Sequence, residues 1–124
     1  MKRNLATLAL AAALALVPTL APAHGDIDAK RGGVTKMQND LGFELVPQAD
    51  GASLYIEDHG KPLPVAGMSG KLTVLNGTKK SEAPLVPAGD RLEAKGVKVG
   101  MGSKVVATVQ TADRKSITVR FAIH

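Results

Sequence analysis

The chain contains no cysteine and no tryptophan. Without cysteine it can form no disulfide, has no thiol nucleophile and cannot be anchored as a lipoprotein. One tyrosine and two phenylalanines are too few for a stacking surface that binds nucleic-acid bases or carbohydrate. Long runs of one charge are also missing, because 16 basic and 11 acidic residues are scattered along the sequence. We therefore expect no nucleic-acid partner.

The first 23 residues predict a secretory signal peptide. Lys2-Arg3 provides the positive start, residues 5–17 form an apolar run, and Ala21-Pro22-Ala23 has the small-x-small pattern of a cleavage site. The apolar run is shorter than the roughly 20 residues that cross a bilayer, so an uncleaved anchor is the weaker alternative. We expect cleavage after Ala23 and a periplasmic mature protein that begins at His24 and makes no membrane contact.

Alternation of apolar and polar residues dominates the mature chain. The clearest run places Ile117, Val119, Phe121 and Ile123 on one face of a strand, and similar runs begin at Leu41. Period-two alternation is typical of half-buried antiparallel strands. No segment after residue 24 has the apolar stripe of a helix.

Turn residues separate these runs. The signals are Gln48-Ala49-Asp50-Gly51, the hairpin dipeptide Asn76-Gly77, Pro87-Ala88-Gly89-Asp90 and Ala112-Asp113-Arg114-Lys115, with a short strand expected at Leu85-Val86. The sequence thus predicts an all-β domain over residues 34–124, an antiparallel β-sandwich or open barrel of about seven strands. Residues 24–33 lack periodicity and are interpreted as a flexible N-terminal arm that ends at Gly32-Gly33.

No catalytic motif is visible. The sequence has no Gly-x-Ser-x-Gly, no His-Glu-x-x-His and no phosphate-binding loop. The glycine-rich stretch over residues 96–102 is not followed by a helical pattern, so a turn explains it better than a phosphate site. We expect that the protein is not an enzyme.

His24 is the first candidate metal ligand. After cleavage it carries both a free α-amine and an imidazole, which together can chelate one ion. Copper leads the divalent affinity order and favours nitrogen ligands. The alternative is that His24 merely happens to follow the cleavage site.

His59, in Asp58-His59-Gly60-Lys61-Pro62, is the second candidate, with Asp58 and the arm residue Asp26 as further oxygen ligands. A polar turn is the competing interpretation. Met68 and Met101 could offer thioethers to Cu(I), although packing over the end of a sheet explains loop methionines more simply. His124 is expected to be exposed.

Several segments of the mature chain together resemble a known group. They are Gly32-Gly33-Val34, residues 41–46, residues 54–62, Pro87-Ala88-Gly89 and Val119-Arg120-Phe121. The chain resembles small exported proteins found alongside bacterial heavy-metal efflux systems, and a domain of the periplasmic adaptor subunits of those pumps. The resemblance implies a metal-resistance setting and an efflux adaptor or another envelope protein as partner.

Three functional hypotheses follow. The leading one is a periplasmic protein that binds or hands over a metal, copper first, at His24, His59, Asp26 and Asp58. The alternative is a metal-free module that docks on an efflux or envelope complex. The third, an oxidase of the kind that uses an N-terminal histidine to bind copper, lacks an aromatic substrate surface here.

Overall fold

The computed structural model describes residues 27–124, which form an all-β domain without a helix. This part of the chain therefore holds no helix that could span a membrane. Nine strands account for 61% of it. In chain order they are β1 Val34–Gln38, β2 Leu41–Gln48, β3 Gly51–Asp58, β4 Lys61–Pro62, β5 Ser69–Asn76, β6 Lys79–Ala88, β7 Arg91–Lys95, β8 Lys104–Gln110 and β9 Ser116–Ala122.

The strands form one antiparallel sheet in the order β1-β2-β3-β7-β6-β5-β8-β9, with the short β4 beside β3. β6 joins the two halves, because its residues 79–85 pair with β5 whereas residues 86–88 pair with β7. The first and last strands approach one another without a ladder. The sheet is thus nearly closed into a barrel, and the predicted fold class is confirmed.

The core follows the predicted alternation. Inward-facing residues of every long strand are buried, and Phe43, Leu54, Leu72 and Val119 have no exposed surface. Phe121 is 4% exposed. Burial of such side chains contributes about 1.5–3 kcal/mol each, which makes the apolar faces of the strands the main source of stability.

The turns differ from the sequence predictions in detail. In the β5–β6 hairpin Asn76 pairs with Lys79, so the two loop residues are Gly77-Thr78 rather than Asn76-Gly77. Gly77 has φ 65° and Thr78 does not have a positive φ, as in a type II′ turn that requires glycine first. The short strand expected at Leu85-Val86 is the end of β6.

Two strands were not predicted. All five residues of β1 are exposed or half-buried, so the strand shows no apolar face, and β4 has only two residues. β1 connects to β2 through Asn39-Asp40, where both φ angles are positive, which is the geometry of a type I′ hairpin turn. Asparagine and aspartate tolerate this conformation better than most residues.

Candidate metal site

His59 lies in a tight turn between β3 and β4. Asp58 pairs with Lys61, so His59-Gly60 is a two-residue loop, with φ angles of 52° and 82°. Positive φ at both positions defines a type I′ turn, in which histidine is tolerated and glycine is favoured. The turn lies at the same end of the barrel as Asn39-Asp40, because Leu41 pairs with Asp58.

The His59 ring contacts its neighbour directly. Nδ1 lies 2.6 Å from Oδ1 of Asp58, and the two side chains are 87% and 48% exposed. A carboxylate bonded to one ring nitrogen fixes the orientation of an imidazole. Nε2 is therefore the ring nitrogen available to a metal, with Asp58 better suited to orient His59 than to bind independently.

The remaining predicted ligands, His24 and Asp26, lie outside the described residues. Within residues 27–124 no three His, Asp or Glu side chains come close enough to hold a metal ion. At this turn the described part of the chain therefore offers His59 and Asp58 alone. A site with more ligands needs residues from the N-terminal segment or from another molecule.

Residues 30–33 lie against the outer face of the sheet, where they bind a buried carboxylate. Glu44 is 4% exposed. Its Oε2 accepts hydrogen bonds from the backbone N–H groups of Arg31 and Gly33, at 2.9 and 2.8 Å. Its Oε1 accepts from the N–H of Lys30 at 3.2 Å and from the Arg31 guanidinium at 3.3 Å. The predicted arm over 24–33 thus ends in residues that bind the Glu44 carboxylate.

These contacts lower the pKa of Glu44. Burial by itself would raise it, because a low-polarity environment disfavours the charged form. The hydrogen bonds from Gly33, Arg31 and Lys30 stabilise the carboxylate and outweigh that effect. Glu44 is consequently ionised at neutral pH.

The two glycines of the segment explain how its amides converge on one carboxylate. Gly32 has φ 74°, a left-handed conformation that turns the chain between the N–H groups of Arg31 and Gly33. At Gly33 a Cβ would lie 2.3 Å from the carbonyl oxygen of Leu45, so only glycine fits there without a shift. Gly32-Gly33 is therefore a structural element of the attachment.

Side chains attach the segment at further points. The Arg31 guanidinium lies 3.8 Å from the centre of the Tyr55 ring, a cation–π contact. Lys30 Nζ lies 3.0 Å from a carboxylate oxygen of Glu57. The carbonyl of Ile27 accepts a hydrogen bond of 3.0 Å from the Thr35 hydroxyl.

The side chain of Ile27 reaches toward the end of the sheet that carries the His59 turn. Residues 30–33 lie at the level of Glu44, whereas the Ile27 side chain lies beside Gly42, 2.9 Å from where a Cβ on Gly42 would stand. Gly42 pairs with Glu57, one residue before Asp58. His24 precedes Ile27 by three positions in the sequence, and three residues of extended chain span at most about 10 Å.

The two loop methionines lie at opposite ends of the barrel. Met68 is 6% exposed and packs in the core, whereas Met101 is 78% exposed between two glycines. Met68 precedes Ser69, which pairs with the last residue of β8, whereas Met101 lies just before the first residue of β8. They cannot share a metal ion. His124 is exposed, as expected.

A cleft of about 670 Å³ opens beside Asp58. Its apolar wall includes Leu41, Leu63 and Met68, and Asp113 stands at its rim. The Thr111 hydroxyl donates a hydrogen bond to Asp113 and lowers the pKa of that carboxyl. The cleft gives the His59 end of the barrel an accessible surface with both apolar and acidic character.

Alternation alone did not reveal the role of Glu44 or the position of Met37. Glu44 alternates with buried residues, so the pattern places it on the outer face of the sheet, which residues 30–33 cover. Met37 lies on the outer face of β1, with its sulfur 3.6 Å from the position of a Gly42 Cβ. Recognition of Asn39-Asp40 as a hairpin turn would have placed Met37 beside Gly42.

Comparison with known proteins adds nothing to this geometry: no protein-family model matches the chain, and neither a curated protein nor a solved structure matches it.

Proposed function

We propose that the mature protein is a periplasmic metal-handling protein that binds copper through the α-amine and imidazole of His24, with His59 as a further ligand and Asp58 or Asp26 as accessory oxygen ligands. The resemblance to proteins that accompany heavy-metal efflux systems supports the setting. The observation that carries the proposal is the position of the Ile27 side chain beside Gly42, near the end of the sheet that carries the exposed His59 turn.

The chemistry of these groups suits Cu(II). An amine and imidazoles are nitrogen donors, and Cu(II) binds such donors more tightly than other divalent first-row metals. Both kinds of group must lose a proton to bind, so affinity falls in acid. With a reference imidazole pKa near 6.5 and an α-amine near 7.7–8.0, binding weakens below about pH 6.

The test is calorimetric copper titration of the protein that begins at His24. His24→Ala and a form with one added N-terminal Met should bind at least about 10-fold more weakly, since even misorientation of a ligand costs 10–100-fold. His124→Ala is the matched control and should bind as the wild type does. Equal binding by all four proteins, or none tighter than millimolar, contradicts the proposal.

The seam between β1 and β9 favours a second candidate, a metal-free docking module for an acidic surface of an efflux adaptor. Lys36, Lys104 and Arg120 line a cleft of about 350 Å³ there, beside Phe121. None of the three forms a salt bridge within residues 27–124. Unpaired cations at an incompletely closed sheet are complementary to a carboxylate-rich partner.

Binding of a purified adaptor subunit to the metal-free protein tests this candidate. Lys104→Glu and Arg120→Glu should each weaken the complex, and the effect should be largest at low salt, where charges are screened least. Lys61→Glu, at the other end of the barrel, should not weaken it. A complex that is insensitive to both seam substitutions would exclude this surface.

A further inference from the structure

Asn76 is the last residue of β5 and Gly77 is the first residue of the following turn, and both are exposed. An asparagine that precedes glycine can lose its side-chain amide without an enzyme, because glycine has no side chain to hinder attack by its backbone nitrogen. A Cβ added to Gly77 would meet no atom within 4 Å, so the space around this residue is open. Neither residue contributes to the proposed metal site, which lies at the other end of the barrel.

The side-chain amide of Asn76 binds the loop over residues 96–103 through both of its polar atoms. Nδ2 donates to the backbone carbonyl of Lys98 at 3.3 Å, and Oδ1 accepts a hydrogen bond from the hydroxyl of Ser103. Ser103 is 1% exposed, and its hydroxyl oxygen also accepts a hydrogen bond of 3.1 Å from the N–H of Gly100. These bonds direct the amide toward the loop, whereas the loss of the amide requires it to turn toward the nitrogen of Gly77.

We propose that Asn76 is a site of spontaneous deamidation, and that the hydrogen bonds of its amide to Lys98 and Ser103 set the rate. The backbone nitrogen of Gly77 forms a bond to Cγ of Asn76 and gives up its proton. The bond from Cγ to Nδ2 breaks, and Nδ2 leaves with that proton as ammonia. Water, the only co-reactant, then opens the cyclic imide at one of its two carbonyls, which gives aspartate or isoaspartate.

The product differs from Asn76 in a group that the fold uses. A carboxylate cannot donate a hydrogen bond to the Lys98 carbonyl, and isoaspartate also lengthens the main chain at the end of β5 by one carbon atom. The loop keeps its backbone contacts, such as the hydrogen bond of 2.7 Å from the N–H of Gly102 to the carbonyl of Ile123. We therefore expect deamidation to add one negative charge and loosen the loop at one point without unfolding the barrel.

Peptide mass spectrometry of the protein that begins at His24, incubated at mildly alkaline pH, tests this proposal. Trypsin releases residues 72–79, which contain Asn76 as their only asparagine, and the same segment as a free peptide gives the rate without a fold. The folded protein should deamidate Asn76 at least about 10-fold more slowly than the peptide, because both hydrogen bonds must open first. Asn39 is also in an exposed turn, but Asp40 follows it and hinders the attack, so it should remain largely unmodified over the same time.

Ser103→Ala removes one of the two hydrogen bonds and should raise the rate at Asn76 about 2–10-fold. Ile117→Ala is the matched control for global stability, since it removes buried apolar surface at the opposite end of the barrel. It should leave the rate unchanged. Gly77→Ala should prevent the reaction, because it places a side chain beside the attacking nitrogen.

Each alternative result contradicts the proposal. If the folded protein stays unmodified after the free peptide has been fully converted and for many times longer, Asn76 is not a deamidation site. If it reacts as fast as the peptide, the contacts with the loop do not set the rate. Equal acceleration by Ser103→Ala and Ile117→Ala would mean that global unfolding exposes the amide. The comparison with the peptide needs no variant, so it decides the question even if Ser103→Ala does not fold, and none of these results depends on copper binding.

Discussion

At the scale of single residues, Glu44 shows how a position in an alternating pattern can mislead. Alternation places it opposite Phe43 and Leu45, and that orientation is correct. Its burial comes from a covering segment eleven or more residues earlier in the chain, a contact that no local pattern encodes. The inward residues could be predicted because strand geometry alone determines their face.

Acid should weaken the attachment of residues 30–33 to Glu44. The folded-state pKa of Glu44 lies below its usual value, so the carboxylate stabilises the attached form above about pH 4.3, the reference pKa of an unfolded glutamate. That contribution is lost as the pH falls through the lower, folded-state pKa. We expect the amide proton shift of Gly33 to move with pH only in this acidic range. In Glu44→Gln the same shift should not titrate; a titration there would mean that another group controls the segment.

Phe121 provides the strongest single test of the core. The ring is 4% exposed on β9, next to the seam. Phe121→Ala should lower the free energy of unfolding by about 3–5 kcal/mol, because it removes a large buried side chain and leaves a cavity. Val86→Ala, at a 50% exposed position, should change it by less than about 0.5 kcal/mol. Urea denaturation measures both, and a small loss for Phe121→Ala would place the ring outside the core.

At the scale of elements, the long strands were predictable and their ends were not. Alternation identifies the middle of each strand, but the exact turn depends on which residues pair across the hairpin. Asn76-Gly77 illustrates this: the pairing of Asn76 with Lys79 moves the loop by one residue and changes its type. β1 could not be predicted because an edge strand buries few side chains, so its sequence shows little alternation of apolar and polar residues.

Gly77, in the β5–β6 turn, and Gly100 are a matched test and control for substitution of glycine by alanine. Gly77 adopts φ 65°, where a side chain costs about 1–2 kcal/mol, whereas Gly100 lies outside the left-handed region and a Cβ added there would meet no atom within 4 Å. Gly77→Ala should therefore lower stability by roughly 1–2 kcal/mol. Gly100→Ala should be neutral or stabilise by up to about 1 kcal/mol, because it reduces the freedom of the unfolded chain. Thermal unfolding compares the two, and equal effects would contradict the turn geometry.

At the scale of the whole molecule, composition and alternation were enough for the fold class but not for a site. A barrel of antiparallel strands needs an apolar face on each strand, and the alternation of apolar and polar residues in the sequence identifies those faces. A metal ligand at a turn is a single residue, so no periodic pattern in the sequence marks it. The distance between two such ligands depends on which turns lie at the same end of the barrel. The pairing of Leu41 with Asp58, which brings Asn39-Asp40 and His59-Gly60 together, follows from sheet register and not from composition.

The strand order also has a kinetic consequence. Most neighbours in the sheet are hairpins between consecutive strands, which close quickly because little chain separates them. Two ladders, β3 with β7 and β5 with β8, join distant segments, and loop closure opposes both until the core forms. Contact order of this kind slows folding, so the chain should pass its rate-limiting barrier when these two ladders form. The hairpin of β1 and β2, which touches β9 without a ladder, would then complete the barrel late.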